Sequence, residues 1–496
     1  MKSSIRYLAV AVGLAWSALP ATAQDIPRAE TSWPQFRGPN GSGVAQDGMK
    51  LPIHFGPTQN VLWKTALPGG YSSPCIAGEH IFLTAFDPAE KKLETLCLDR
   101  RSGQVRWRRT APAKQIEKVH QASSPASSTP ATDGARVYVY FGSYGLLCYD
   151  CDGKEQWQLP LPTPNTENGT ATSPVLADEL LLLKGQGQDS FLLAVNRKTG
   201  AVVWKKEPLP FDAGYALPIL LSQGARTEVV LFGTGGVKAY DLKDGSERWS
   251  VNGLMAAAIP TPVFADGLLF VLAEFASSGT DDPNPMLSFD DLLKKYDMDK
   301  DGQLSREEVK EVVIYRRSIT GEGDIKLVEI FDFLDRNKDG KIDREEWKAI
   351  VDMMAKADDA LVAIRPGGTG DVTKTHVAWK FKRSLPDIAS PVAYGSRLYL
   401  VKNDGIVTCL EPAADKPKVV YRERLGVTGL YYASPVAGDG KVYAASGKGR
   451  VVVFAAGDKF QVLARNDLRE PILATPALAD GKLYVRTEGH LYAFGE

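Results

Sequence analysis

A short step that ends in proline recurs along the chain and constrains its fold more than any other feature. The prolines that open such segments are Pro74, Pro130, Pro174, Pro218, Pro262, Pro391, Pro435 and Pro476. Consecutive members from Pro130 to Pro262 are 44 residues apart, and the same interval separates Pro391 from Pro435. A fixed period of this size indicates that one supersecondary unit is repeated along the chain.

The strand signals follow the same order in successive units. A turn leads into an alternating apolar segment such as Arg136–Tyr140, a second apolar segment follows, and a glycine turn precedes a strand that contains tryptophan. The tryptophans at this position include Trp107, Trp157, Trp204 and Trp249. Period-two alternation between turn residues predicts short antiparallel strands. About four strands in each of eight units predict an all-β, eight-bladed propeller.

A further tryptophan, Trp63, precedes the first repeat, whereas the last unit, which begins at Pro476, has none. We therefore expect Trp63 to supply the outer strand of that last blade and to close the ring, because closure removes an exposed sheet edge. The recurrence of tryptophan in unit after unit favours packing between blades over a role in ligand binding.

One insertion interrupts the period. Pro262 and Pro391 are 129 residues apart, an excess of about 85 over the repeat, and the periodicity in between changes from 2 to 3.6. We expect residues 24–275 to hold the closing strand, blades 1–4 and the start of blade 5. Residues 276–357 are then an inserted α-helical domain, and residues 358–496 hold the rest of blade 5 and blades 6–8.

The insert contains two matches to the pattern D-x-[DN]-x-[DN]-G-x5-E, which is typical of the EF-hand calcium loop. The ligands expected in the first loop are Asp297, Asp299, Asp301, Gln303 through its carbonyl, Ser305 and Glu308. Those expected in the second are Asp335, Asn337, Asp339, Lys341 through its carbonyl, Asp343 and Glu346. Calcium takes six to eight hard oxygen ligands in a flexible geometry, and Gly302 and Gly340 permit the sharp bend. The sequence therefore predicts two bound Ca²⁺ ions, and the geometry disfavours magnesium.

Apolar residues at helical spacing flank both loops. They predict helices over Phe289–Tyr296, Val309–Val313, Leu327–Leu334 and Trp347–Met354. Ser288 is a plausible N-cap for the first of them. Leu304 and Ile342 occupy the same loop position, so we expect them to pair across the two loops in a short antiparallel ladder.

The segment from Ala239 to Trp249 fits A-x-D-x-x-[TDS]-G-x-x-x-W, and it resembles the tryptophan-docking motif of the quinoprotein, or PQQ-type, propellers. The segments WPQFRGPNGSGVA (33–45) and IRPGGTGDVTKTHVAWKF (364–381) look like those of exported PQQ-like-repeat proteins common in Planctomycetes-type bacteria. The resemblance extends from about Trp33 to the C-terminus, apart from the insert, and it implies the propeller fold.

Two kinds of relative frame the function that this resemblance implies. Quinoprotein alcohol dehydrogenases hold PQQ and calcium at the ring axis, with a carboxylate base, glutamate and asparagine ligands, and commonly a disulfide between adjacent cysteines. This chain has no adjacent cysteines, and none of those ligands aligns to a position here, so catalytic and PQQ-binding residues stay unassigned. The propeller lipoprotein of the outer-membrane barrel-assembly machinery has no cofactor and acts as a scaffold, but this chain lacks its lipid-anchor cysteine.

The N-terminus has the pattern of a secretory signal peptide. Lys2 and Arg6 precede an apolar stretch at residues 7–19, and Ala21-Thr22-Ala23 offers a cleavage site before Gln24. An uncleaved anchor is the alternative. We expect residues 1–23 to be removed. The mature chain is then expected to be a periplasmic or secreted protein without a transmembrane segment. A formal net charge of −1 argues against a nucleic-acid partner.

The cysteines and histidines carry weaker signals. The five cysteines, which are Cys75, Cys97, Cys148, Cys151 and Cys409, do not form a dense disulfide framework. Three of them recur in equivalent strands, which favours buried apolar positions. A redox or metal role for the C-x-x-C at Cys148 and Cys151 stays open. His120 and His376 have no partner at metal spacing, which favours structural roles.

These observations support two hypotheses. The first is a calcium-binding exported propeller without catalytic activity, which binds another envelope or extracellular protein or a small ligand. The alternative is a PQQ-dependent oxidoreductase that acts on alcohols or sugars at the propeller axis.

Overall fold

The computed structural model describes residues 22–23, 32–120, 123–166, 168–187, 189–210, 214–224, 226–254, 258–274, 287–356, 359–413 and 415–496. The expected signal peptide lies outside these ranges except for its last two residues, and so do the expected ends of the insert, residues 276 and 357. Within the described ranges, no helix combines the length and the apolarity needed to cross a bilayer.

Eight antiparallel sheets follow one another along the chain, and this confirms the predicted eight-bladed propeller. Blades 1 and 2 consist of Cys75–Ala77, His80–Asp87, Lys92–Asp99 and Val105–Thr110, then Ala131–Thr132, Arg136–Phe141, Gly145–Asp150 and Glu155–Pro160. Blades 3 and 4 consist of Val175–Ala177, Leu180–Lys184, Leu192–Asn196 and Val202–Lys206, then Ile219–Gln223, Arg226–Gly233, Gly235–Asp241 and Glu247–Leu254. Two short strands, Thr22–Ala23 and Gly370–Asp371, extend blade 4 at its inner and outer edges.

The second half of the ring has the same construction. Blades 5 and 6 consist of Val263–Ala265, Leu268–Ala273, Ala360–Ile364 and Val377–Phe381, then Val392–Tyr394, Arg397–Lys402, Ile406–Glu411 and Lys418–Arg424. Blades 7 and 8 consist of Val436–Gly438, Lys441–Ala445, Arg450–Ala455 and Val462–Asp467, then Ala477–Ala479, Lys482–Arg486, His490–Phe494 and Val61–Ala66. The strand Val61–Ala66 closes the ring by pairing with His490–Phe494, with Trp63 opposite Ala493.

Tryptophans of the outer strands pack against glycines of the following blade. Trp107 is an example: its Nε1 donates to the carbonyl of Cys151 at 2.8 Å, and its ring lies against Gly153. The same contact joins Trp63 to Gly103, Trp157 to Gly200 and Trp204 to Gly245. These indoles are therefore packing residues between blades, as the repeat suggested. Trp249 differs, because its Nε1 donates to the carboxylate of Glu228 in its own blade.

A belt of hydroxyl groups links the inner strands. Six of the residues that precede a repeat proline donate their backbone N–H to the side-chain hydroxyl of the equivalent residue in the next blade, at 2.9–3.2 Å. The pairs are Ser73–Thr129, Thr129–Ser173, Leu217–Thr261, Thr261–Ser390, Ser390–Ser434 and Ser434–Thr475. The recurring Ser or Thr before proline therefore satisfies a buried N–H of the neighbouring blade.

Residues 33–45 run along the inside of the ring; we call them the inner segment. It forms backbone hydrogen bonds with the first strands of blades 1, 2 and 7, through Ile76, Thr132 and Ala437. Its side chains reach blades 3, 4 and 6. The side-chain oxygens of Gln35 and Asn40 accept the N–H groups of Leu176 and Leu220. The fully buried Arg37 donates to the carbonyl of Pro391. A 3₁₀ turn, Pro39–Gly41, lies within the inner segment. The inner segment thus contacts blades 1–4, 6 and 7.

The insert leaves blade 5 between two paired strands, because Leu268–Ala273 pairs directly with Ala360–Ile364 on either side of it. Its helices are Phe289–Tyr296, the 3₁₀ turn Leu327–Ile330, Phe331–Leu334 and Arg344–Lys356. Its strands are Leu304–Ser305, Val313–Tyr315, Ile325–Lys326 and Lys341–Ile342. The helix expected over Val309–Val313 is absent from this described stretch: turns lead instead into a strand that pairs with Ile325–Lys326. The remaining short helices are Thr373–His376 and the 3₁₀ turn Asn403–Gly405.

Candidate metal centre

The first loop is entered from a capped helix. The hydroxyl of Ser288 accepts a hydrogen bond from the N–H of Asp291 at 3.1 Å, so it serves as the N-cap of helix Phe289–Tyr296. Phe289 and Leu292 on this helix are buried in the core of the insert. The helix ends where the loop begins, at Asp297.

Carboxylates converge at the centre of this loop. Oxygens of Asp297, Asp299 and Glu308 all lie within 4.8 Å of one another. The two oxygens of Asp297 accept the N–H groups of Asp301 and Gly302 at 3.2 and 3.0 Å, which holds the loop closed around them. Gly302 has a φ of +82°, a left-handed conformation that glycine adopts without strain.

Glu308 closes the loop from its far end. One of its oxygens accepts the N–H of Met298 at 2.8 Å, and the other accepts the N–H and the hydroxyl of Ser305 at 2.8 and 2.7 Å. Burial opposes ionisation of Glu308, but these hydrogen bonds outweigh it and lower its pKa. Both oxygens of the residue at position 12 therefore face back into the loop as a carboxylate, which is the form a bidentate ligand needs.

The second loop repeats this arrangement. Asp335 accepts the N–H groups of Asp339 and Gly340 at 3.0 and 2.9 Å. Glu346 accepts the N–H groups of Arg336 and Asp343 at 2.9 and 3.1 Å. The oxygen of Asn337 accepts from Asp339 at 2.8 Å. The carboxylates at positions 1 and 12 therefore accept hydrogen bonds from the same backbone N–H positions in both loops.

A short ladder joins the two loops. Leu304 pairs with Ile342 and Ser305 pairs with Lys341 in antiparallel register. Leu304 and Ile342 are fully buried, and they pack with the apolar residues of the flanking helices, including Phe331 and Trp347. The pairing expected from the sequence is therefore present, and it fixes the two loops as one unit.

Lys341 has a contact that the loop pattern does not reveal. Its ammonium group forms ion pairs with Asp301 and, at 3.7 Å, with Asp299 of the other loop. The hydrogen bond from Lys341 lowers the pKa of Asp301, and the same bond raises the pKa of Lys341. A side chain of the second loop thus neutralises ligands of the first.

The chemistry of these loops suits a hard divalent cation. All expected ligands offer carboxylate, amide, hydroxyl or carbonyl oxygens, and residues 297–346 contain no histidine or cysteine. Among the described residues, Asp297, Asp299 and Glu308 of the first loop are the only three His, Cys, Asp or Glu side chains that converge in this way. The loops can therefore hold calcium, which would link their carboxylates and offset the repulsion between them.

The five cysteines are free thiols. Cys75, Cys97, Cys148 and Cys409 are buried in the blades, and Cys151 is partly exposed. Burial raises the pKa of Cys97 to about 12 and that of Cys409 to about 11, and it also raises the pKa of Cys148 and Cys151. A raised pKa keeps a thiol protonated and disfavours it as a nucleophile or a metal ligand.

One further structural link has no signal in the sequence. Residues 313–326 form a hairpin between the two loops, and its tip lies on the propeller, where Arg317 contacts Asp387 and Ser318 contacts Asp404. No local motif marks these residues, since the partners lie 70 and 86 positions apart in the chain.

Comparisons with known protein families agree with both parts of the architecture. Residues 53–210 and 92–276 give overlapping matches to the family described as outer membrane protein assembly factor BamB. Residues 289–313 and 327–351 match the EF hand. These ranges bring PQQ-like repeats and two EF hands together in one chain. A search of curated proteins found no match.

Solved structures with a similar fold include an assembly factor and two dehydrogenases. BamB from Moraxella catarrhalis has 11% identity and a TM-score of 0.51, with 88% of this chain and 98% of that chain covered. Quinohemoprotein alcohol dehydrogenase ADHIIG from Pseudomonas putida HK5 has 11% identity and a TM-score of 0.52, with 94% and 80% covered. A europium-containing methanol dehydrogenase has 10% identity and a TM-score of 0.51, with 95% and 99% covered. At these identities the similarity establishes the fold alone.

Proposed function

We propose that this EF-hand-bearing, PQQ-like propeller is a calcium-binding scaffold or binding protein of the cell envelope, with one calcium ion in each loop. The observation that carries the proposal is the convergence of Asp297, Asp299 and Glu308, with the position-12 carboxylate turned into the loop. The second loop has matching contacts through Asp335 and Glu346.

The expected affinity is that of a structural site. Extracellular calcium modules bind at about 10⁻⁴ to 10⁻³ M, so their loops are filled wherever millimolar calcium is present. In this interpretation calcium orders the insert, because ion binding to otherwise repelling carboxylates supplies folding free energy.

Calcium titration by calorimetry tests the proposal, and the chain offers closely matched controls. Glu308→Gln and Glu346→Gln remove the charge at position 12, and each is expected to weaken or abolish binding of one ion. Glu307→Gln and Glu345→Gln remove the same charge one position earlier, where the Glu307 side chain is 81% exposed, and are expected to bind as the wild type does. Unchanged binding in the Glu308/Glu346 double variant would contradict the assignment of the ligands.

The propeller is proposed to supply the recognition surface for another envelope or extracellular protein, or for an unidentified small ligand. The match to an outer membrane assembly factor supports an envelope location. Export of a chain that begins near Gln24 remains part of the proposal, as does the kinship with exported Planctomycetes-type proteins. Cell fractionation and N-terminal sequencing of the purified protein test it. A cytoplasmic protein with an intact N-terminus would contradict it.

A PQQ-dependent oxidoreductase is the second candidate, and the similarity to quinohemoprotein alcohol dehydrogenase over 94% of the chain is the observation that favours it. The residues present do not fit that cofactor well. In the described ranges no three acidic, histidine or cysteine side chains converge in the propeller, and the inner segment occupies hydrogen-bonding positions on blades 1–4, 6 and 7. Addition of PQQ and calcium, followed by a visible spectrum and a dye-linked alcohol oxidation assay, separates the candidates. Turnover would favour the enzyme.

A further inference from the structure

The hairpin at residues 313–326, which we call the strap, connects the calcium loops to the propeller. Its first strand, Val313–Tyr315, begins five residues after Glu308, and its second strand, Ile325–Lys326, leads into the helical turns before Asp335. Leu327 donates its N–H to the carbonyl of Val312 at 2.7 Å, which closes the base of the strap. Each strand of the strap is therefore continuous with one calcium loop.

The strap is held by a partly buried ion pair. The guanidinium of Arg317 donates from Nε and Nη2 to one oxygen of Asp387, at 2.8 and 2.6 Å. The two side chains are 17% and 12% exposed. Asn403 donates to the other oxygen of Asp387 at 3.1 Å, and the ring of Tyr432 lies 5.6 Å from the guanidinium carbon. Charge-assisted hydrogen bonds of this kind are short and specific in geometry.

A second carboxylate of the propeller holds the tip. Asp404, which is 2% exposed, accepts the hydroxyl of Ser318 at 2.6 Å and the N–H of Ile319 at 2.8 Å. It also accepts the N–H of Gly429 at 3.0 Å, so it joins the strap to two propeller loops. A buried carboxylate without hydrogen-bond donors has a large desolvation cost. The bonds from the strap to Asp404 therefore favour the docked position of the strap.

Further contacts extend the docking over three blades. The hydroxyl of Tyr315 donates to Glu274 at the end of blade 5, at 3.2 Å. Glu322 forms an ion pair with Lys448 of blade 7 at 3.6 Å. Gly323 lies against Leu430, where an added Cβ would come within 2.8 Å of the leucine side chain. The strap thus rests on blades 5, 6 and 7, on the side of the ring from which the insert leaves.

We propose that Arg317 and Ser318, together with Asp387 and Asp404, are positioning residues for calcium binding: the propeller holds the strap, and the strap holds both loops near their ion-binding arrangement. The proposal rests on the proposed calcium sites. Docking of the strap reduces the conformational entropy that the loops lose when calcium binds, because a preorganised site is already partly ordered. By linkage, calcium tightens the docking of the strap by the same factor by which docking tightens calcium binding.

The test is a calcium titration of the full chain by calorimetry. Arg317→Met is expected to lower calcium affinity by about 5- to 150-fold, the usual range for coupling between two sites. Arg317→Lys is expected to restore part of the loss because it keeps the charge. Arg397→Met is a matched control: the Arg397 side chain is also 17% exposed and paired with an aspartate, Asp458, but it belongs to a contact between blades 6 and 7. It is expected to leave calcium affinity unchanged.

Hydrogen exchange supplies an independent measurement. In the wild type, saturating calcium is expected to slow exchange at the amide of Ile319, which is bonded to Asp404, and the effect is expected to vanish in Arg317→Met. If Arg317→Met does not fold, Ser318→Ala removes the hydrogen bond to Asp404, together with local bonds to Thr320, and leaves the ion pair of Arg317 in place. It is expected to weaken calcium binding to a smaller extent. Wild-type affinity in every folded strap variant would overturn the proposal. Absence of calcium binding in the wild type would instead overturn the proposed function.

Discussion

The contact between tryptophan and glycine gives a prediction with a matched pair of variants. A Cβ added at Gly153 would lie 2.7 Å from the indole of Trp107, whereas at Gly134 it would meet no atom within 4 Å. Both glycines belong to blade 2, and both have left-handed backbones, with φ of +79° and +87°. The two alanine substitutions therefore share their backbone cost and differ in the contact with tryptophan.

The magnitudes follow from these two costs. A left-handed conformation costs a residue with a Cβ about 1–2 kcal/mol, and this cost applies to Gly134→Ala and Gly153→Ala alike. Overpacking against a fixed ring adds about 1–3 kcal/mol at Gly153 alone. We therefore expect Gly134→Ala to lower the free energy of unfolding by about 1–2 kcal/mol and Gly153→Ala by about 2–5 kcal/mol.

Equilibrium urea unfolding, followed by tryptophan fluorescence and by circular dichroism, measures the difference. Coincident transitions from the two probes allow a free energy to be compared between variants, and equal slopes show that both unfold through the same change in surface. Equal losses in the two variants would refute the reasoning, because they would mean that the indole does not constrain Gly153.

Three other predictions concern the loops and the belt. Lys341→Met removes the ammonium that pairs with Asp301 and is expected to raise calcium affinity. The difference in affinity from the wild type is expected to shrink at high salt. Calorimetry at two salt concentrations checks this, and a fall in affinity would contradict it. Removal of calcium by a chelator is expected to speed amide exchange within residues 289–351 far more than in blades 1–3. Mass spectrometry measures this, and a uniform change in exchange would count against calcium binding in the insert. Thr261→Val removes the hydroxyl that accepts from Leu217 and is expected to cost about 1–3 kcal/mol of unfolding free energy, since it leaves a buried N–H unpaired; an unaltered urea transition would argue against the belt.

Local patterns in the sequence were sufficient for the propeller fold and for the two EF-hand loops. The propeller could be predicted because each blade repeats its own turns and its own tryptophan contact with the next blade. The EF-hand loops could be predicted because their twelve positions are contiguous, so the spacing alone identifies them. Neither inference needed knowledge of distant partners.

The strap could not be predicted, because its stability comes from distant partners. The apolar spacing of Val309, Val312 and Val313 fits a helix, but the run Val312–Tyr315 is rich in β-branched residues that favour strands. Pairing with Ile325–Lys326 and docking on Asp387 and Asp404 then decide the conformation. Contacts of this range override local propensity.

The inner segment has a consequence for the order of assembly. Its residues contact blades 1, 2 and 3 through Trp33, Pro34 and Gln35 in turn, and it reaches blade 7 through Gly43 and Ala45. Chains are synthesised from the N-terminus, so the segment emerges before any of its partners. Each new blade then meets a surface that is already present, and the early part of the segment engages the blades in the order of their synthesis. This early segment can thus act as a template around which the ring closes.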